Sequence, residues 1–278
     1  MPTLLLVAGD TKSYFSLLAA AEAKGFRVKA TVDPKVAREW AELSTFDLTF
    51  VDETIETSLL QALAHTLWQR NPRAPLIAYS TNEIVAPERI QELKLLGADT
   101  AFGPQVESAL SKILDWVKDQ APPTPSTPHI MVVEDLDSPR DIICYYIESL
   151  GLGKVSGINS AKKALSTLES DPGEFTCIIT DIKMPKMNGK ELIESVRRHA
   201  KLQHLPIVVL TAYGTVDTLI ECLKAGASGF LVKPPKKEDL VREIGRAMRL
   251  YDQKQNPRLA LEREAEEIRA LLLEKGFS

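Results

Sequence analysis

The sequence predicts an α/β protein with two doubly wound parallel sheets and a C-terminal helical tail. Short apolar runs rich in Val, Ile and Leu alternate with amphipathic stretches of helical period, the pattern of parallel strands covered on both faces by helices. The pattern also occurs twice. Phe46 to Asp52 (FDLTFVD) matches Phe175 to Asp181 (FTCIITD), and 181 less 52 gives 129. Leu93 to Ala98 matches Cys222 to Ala227, where 226 less 97 gives 129 again. Ala74 to Ser80 matches Leu205 to Thr211, the offset having grown to 131 by a short insertion, which is the mark of a duplicated domain. A length of 278 residues accommodates about two domains.

Taken in order, the first copy covers 1–120, with its opening strand at Leu4 to Val7. Residues 121–128 carry four prolines in eight positions, which favours extended polyproline geometry and reads as a semi-rigid linker. The second copy covers 129–250, with strands expected near Ile130 to Val133, Lys154 to Ile158, Cys177 to Thr180, Ile207 to Leu210 and Gly229 to Val232. Its first helix is expected to start with Ser138 as N-cap before Pro139 and to close at Gly151. The remaining 251–278 form a helical extension, restarting at Asn256-Pro257 and ending near Gly276, with Leu261, Ala265, Ile268 and Leu272 on one stripe. That stripe is too short to define a coiled coil. Packing against its own domain, packing against a partner copy and a signalling coiled coil stay open.

Composition narrows the class. A formal net charge of −4 provides no global basic field for nucleic acid, and no segment approaches the ~20 apolar residues of a membrane span. The apolar start at Leu4 to Ala8 lacks the charged lead and length of a signal peptide, so a cytoplasmic setting is expected. Cys144, Cys177 and Cys222 read as buried thiols of a reducing compartment. The run from Arg197 to Lys201 reads as the solvated cationic end of a helix. Lys236, Lys237, Arg242, Arg246 and Arg249 alternate with acidic residues, which argues against a nucleic-acid stripe.

Five strands and five helices per copy give a flavodoxin-like (βα)5 domain, whose ligands gather outside the carboxyl ends of the strands. In the second copy Glu134, Asp135, Asp181, Thr211 and Lys233 all fall at such ends. Three converging carboxylates repel one another unless a cation sits among them, and a hard divalent ion such as Mg2+ suits oxygen ligands. Asp181 can ligate with one oxygen and attack phosphorus with the other. Lys233 would then oppose the charge that develops in transfer, and the Thr211 hydroxyl would donate to a phosphoryl oxygen.

The motifs IMVVEDL (130–136), DIKMPKMNG (181–189), Leu210-Thr211-Ala212 and GASGFLVKP (226–234) resemble the receiver domain of bacterial two-component response regulators. The resemblance covers about residues 129–250. It implies that Asp181 is the phosphoacceptor, Glu134 and Asp135 the acidic metal pair, Lys183 a further metal ligand through its carbonyl, and Thr211 with Phe230 the switch pair. It also implies Mg2+ as cofactor and a sensor histidine kinase or phosphotransfer protein as partner. Such a protein is a phosphoacceptor switch with self-catalysed transfer and slow autodephosphorylation, not an enzyme with a separate substrate. A rival hydrolase built on an aspartyl phosphate wants a second Asp two residues after the nucleophile, where Lys183 stands.

The first copy has Ala8-Gly9 where the acidic pair is expected, and Asp10 comes one residue late. Asp52 and Ser80 survive, while Gly103-Pro104 replaces the lysine. A degenerate pseudo-receiver is expected, serving docking or dimerisation. Output is expected through the face of 215–250, by a homodimer on that face or the tail helix, or by another protein. Two alternatives stand beside this reading. One is a non-switching scaffold, and the other is the front part of a longer regulator with a diguanylate cyclase or DNA-binding output.

Overall fold

Two apolar strand sets, each interrupted by helix-forming stretches, produce two sheets. The computed structural model describes all residues except 83, 104, 105, 120–126, 213–215, 253, 255 and 278. The chain divides into two compact units, Met1–Thr124 and Pro125–Ser278. Most of the linker expected from sequence, 121–126, lies outside the described residues.

In the first unit β1 (Thr3–Val7), α1 (Thr11–Ala23), β2 (Arg27–Thr31), α2 (Pro34–Leu43) and β3 (Leu48–Asp52) come first. They are followed by α3 (Thr57–Arg70), β4 (Leu76–Ser80), α4 (Pro87–Leu95), β5 (Asp99–Phe102) and α5 (Val106–Asp119). The second unit repeats the order with β6 (His129–Val133), α6 (Asp137–Ser149), β7 (Lys154–Ile158), α7 (Ala161–Ser170) and β8 (Cys177–Asp181). It continues through α8 (Gly189–Arg198), β9 (Ile207–Thr211), α9 (Val216–Ala225), β10 (Gly229–Val232), α10 (Lys237–Asp252) and α11 (Glu262–Glu274).

Both sheets are parallel and share one strand order, β2-β1-β3-β4-β5 and β7-β6-β8-β9-β10. The flavodoxin-like class is therefore observed in both copies. The two central strands on one side of each sheet, β3 and β4 or β8 and β9, are buried at every residue, as helices on both faces require. In the second unit α6 and α10 supply Ile143, Ile147, Leu240, Ile244 and Met248 to the core on one face. The strand order reverses between β6 and β8, opening a crevice above their carboxyl ends. Gly97 and Gly226, paired by the sequence repeat, both adopt positive φ (85° and 113°) at the helix ends they close.

Three local expectations need correction. Helix α6 begins at Asp137 with Leu136 in the N-cap position, so Pro139 lies inside the first turn, where its missing N–H costs no hydrogen bond. Helix α11 begins at Glu262, not at Pro257. The Leu259 N–H instead donates to the Ala227 carbonyl, which pins 256–261 in a non-helical path. Ala265, Ile268 and Leu272 are buried as the stripe requires, but Leu261 is 61% exposed, since it stands at the N-cap before the helical period starts. Among the described residues no helix is long and apolar enough to cross a membrane.

Candidate functional site

The register of the second sheet brings the sequence-predicted residues together. Asp181 ends β8 opposite Leu210, Glu134 follows β6, Thr211 ends β9 beside Val232, and Lys233 comes one residue later. One carboxylate oxygen each from Glu134, Asp135 and Asp181 lies within 4.8 Å of the others. Lys233 Nζ stands 2.6 Å from Glu134 Oε2 and 2.8 Å from Asp181 Oδ1. Asp181 Oδ1 also accepts the Ile182 N–H at 2.8 Å. Glu134 is fully buried, and its Oε1 accepts the Leu136 N–H at 3.4 Å. Burial would lower the Lys233 pKa, but its hydrogen bonds to Asp181 and Glu134 outweigh that and hold it above the ordinary lysine value. Three carboxylates against one ammonium leave two negative charges, a deficit that a divalent cation would cancel.

The loop after β8 is tied down from both ends. Asn188 and Glu191 form a capping box at the start of α8, and the Gly189 N–H donates to the Ile182 carbonyl at 2.9 Å. A Cβ on Gly189 would overlap the Asp181 carbonyl oxygen, so only glycine lets α8 start this close to the acceptor strand. Lys183 belongs to this loop and lines a cleft of about 740 Å3 with Asp135, Pro185, Asn188, Asp217 and Glu221. The Thr211 hydroxyl donates to the Ala212 carbonyl at 3.3 Å. Phe230 is half-buried on β10, in register with Val209.

Sequence reasoning missed several contributors. The pattern Asn188-Gly189-Lys190-Glu191 is a readable N-cap signature, and it locates the loop that carries Lys183. Arg140 donates to the Glu134 carbonyl at 3.1 Å, a contact without a sequence signal. Arg197 is not the solvated end of a helix. Its guanidinium donates to the carbonyls of Gly226, Gln203 and Leu205, because the turns after α8 and α9 both leave carbonyls unpaired at this point. Arg246 likewise turns inward and pairs with buried Glu243 at 2.7 Å.

The corresponding end of the first sheet is different. Gly103 holds the register position of Lys233, since Ser80 pairs with Phe102 as Thr211 pairs with Val232. Asp52 Oδ1 accepts from the Thr54 N–H at 3.0 Å and the Thr54 hydroxyl at 2.6 Å. A Cβ on Gly9 would fall 2.5 Å from Asp52 Cγ, so any side chain added there would displace the Asp52 carboxylate from its present position. Tyr79 is buried beneath, and burial together with Asp52 and Asp10 pushes its hydroxyl well above the ordinary tyrosine pKa.

The family described as the response regulator receiver domain matches residues 130–245. A two-component response regulator of rice (Oryza sativa subsp. indica), ORR11, is 35% identical over 121 residues, which span 44% of this chain and 81% of that protein. The chain belongs to the response regulator receiver family. The chemotaxis protein CheY of Pseudomonas aeruginosa is 36% identical over 115 residues, 41% of this chain and 91% of that protein. A receiver domain protein crystallised from Clostridium thermocellum is 27% identical, covering 44% of this chain and 94% of its own, with a TM-score of 0.41. The receiver match lies within the second unit and includes Glu134, Asp135, Asp181, Thr211 and Lys233.

Proposed function

We propose that the second unit is a phosphoacceptor switch, in which Asp181 receives a phosphoryl group from a sensor histidine kinase or phosphotransfer protein. The observation that carries this reading is Lys233 Nζ, held between Glu134 and Asp181 with Asp135 alongside. Asp181 attacks phosphorus, the bond from phosphorus to the donor imidazole breaks, and its electron pair stays on that ring. The product is an acyl phosphate on Asp181. Lys233 moves from the carboxylate to a phosphoryl oxygen and opposes its charge, and Thr211 turns its hydroxyl from the Ala212 carbonyl to another. Glu134, Asp135, Asp181 and the Lys183 carbonyl would hold Mg2+, which supplies neutralisation of phosphoryl charge. Phe230 follows Thr211 inward and changes the face of α9, β10 and α10, through which a partner or a second copy is engaged.

The protein in this reading acts by self-catalysed transfer and slow autodephosphorylation, not on a separate substrate, and it works in the cytoplasm. Ile142 and Tyr145 are exposed on α6, and Leu136 is exposed at its start, so an apolar surface adjoins the site for the phosphodonor. The first unit is a pseudo-receiver, without the lysine and the acidic pair, that serves docking or dimerisation. Incubation with radiolabelled acetyl phosphate and Mg2+ tests both halves. Label must be incorporated by the wild type and Asp52→Asn, and be lost in Asp181→Asn and on chelation. Label remaining in Asp181→Asn would overturn the assignment.

A further inference from the structure

Helix α11 packs along α9 and runs antiparallel to it. Arg269 reaches Asp217, in the first turn of α9, at 2.6 Å, and Glu266 reaches Lys224, in its last turn, at 2.6 Å. Below the pair, the Leu259 N–H donates to the Ala227 carbonyl at 2.8 Å and Arg258 Nη1 to the Lys224 carbonyl at 3.3 Å. Ala265, Ile268 and Leu272 are buried, while the opposite side of α11 is charged and exposed. The seam is therefore narrow, one apolar row flanked by solvent-exposed ion pairs that contribute little. Detachment of α11 would expose Ala265, Ile268 and Leu272 together with the outer face of α9.

Its place on α9 links it to the acceptor site. Asp217 lines the same cleft as Asp135 and Lys183, and only residues 212–216 separate it from Thr211. In this structure α11 is docked on α9 while the Thr211 hydroxyl donates to the Ala212 carbonyl and Lys233 pairs with Asp181. We propose that α11 is an internal cover of the outer face of α9, docked in the resting arrangement and released when a phosphoryl group on Asp181 draws Thr211 and the start of α9 inward. The inference rests on the proposed function and deepens it: the output surface would be α9, and its resting occupant this chain's own tail. Coupling is reciprocal, so whatever loosens α11 must also tighten binding of the phosphoryl group.

The 278-residue protein with Mg2+ would be studied with and without beryllofluoride, by hydrogen exchange of 262–274 and by 19F NMR of bound fluoride. The expected result is a bound-fluoride signal absent in Asp181→Asn, with exchange of α11 at least about tenfold faster once fluoride binds. Ile268→Asp and the exposed charge reversal Arg269→Glu should each bind beryllofluoride several-fold more tightly than wild type. Bound fluoride with unchanged exchange and unchanged variant affinity would overturn the cover while leaving Asp181 as acceptor. Absence of bound fluoride would overturn the acceptor reading and the cover with it.

Discussion

Lys233 Nζ lies 2.8 Å from Asp181 Oδ1, placing an ammonium on the carboxylate proposed to attack phosphorus. The same ammonium is 2.6 Å from the fully buried Glu134 carboxylate, so it neutralises a charge that would be costly to leave unpaired. Lys233→Ala should therefore act twice. Phosphorylation by acetyl phosphate should slow by roughly 10²–10³, the usual loss for a group that stabilises transition-state charge. The apparent Mg2+ affinity should rise, since the cation would face three carboxylates with no competing ammonium. Unchanged phosphorylation kinetics would remove Lys233 from the chemistry.

Gly189→Ala isolates the loop from the charges. The added methyl overlaps the Asp181 carbonyl, which cannot yield without shifting the strand that carries the acceptor. Overpacking of this kind costs about 1–3 kcal/mol. Chemical denaturation should show that loss, and the phosphorylation rate should fall because the acceptor carboxylate moves relative to Lys233. A variant with full stability and full rate would show that the approach is relieved by local relaxation.

The fold was legible because its signals are local and repeated. The alternation of strands and helices fixed the class, and an offset of 129 aligned Asp52 with Asp181 and Gly97 with Gly226, as the registers and positive φ angles now show. The site was legible for a related reason: strand ends in this topology converge, so residues at strand ends could be grouped without coordinates. Contacts across sequence left no such trace. Nothing in the charges around Arg197 says that its partners are backbone carbonyls, and nothing in α10 says that Glu243 and Arg246 satisfy each other inside. The start of α11 was misplaced because Asn256-Pro257 is a good local start signal that a tertiary contact, Leu259 to Ala227, overrides.

The Arg197 clamp gives a third test. Its fork holds Gly226, Gln203 and Leu205 together through three carbonyls, a geometry that a single ammonium cannot copy. Burial lowers the Arg197 pKa to about 10, with nearby Arg258 acting in the same direction, so the site tolerates the charge only through those acceptors. Arg197→Lys should destabilise the protein by about 1 kcal/mol, since two part-buried acceptors, the Gly226 and Leu205 carbonyls, lose part of their pairing. Equilibrium denaturation measures it, and a neutral substitution would show that water replaces the clamp without loss.

Cys177 supplies a prediction on pH. It lies in the middle of the second sheet's core, and burial, with Glu243 adding to it, pushes the thiol up to about 12. The unfolded thiol ionises near about 8.5. A folded pKa raised above the unfolded one means that the contribution to stability is complete below about 8.5 and is lost as pH climbs through the folded value. Each pH unit inside that window costs about 1.4 kcal/mol per thiol, or roughly 2 kcal/mol between pH 8.5 and 10. Cys177→Ala carries a fixed cavity penalty at every pH but lacks this slope. Urea unfolding at pH 8 and pH 10 should thus show wild type losing roughly 2 kcal/mol more than the variant. Parallel losses in the two proteins would mean that Cys177 ionises in the folded state as easily as in the unfolded one, and that the core around β8 admits water.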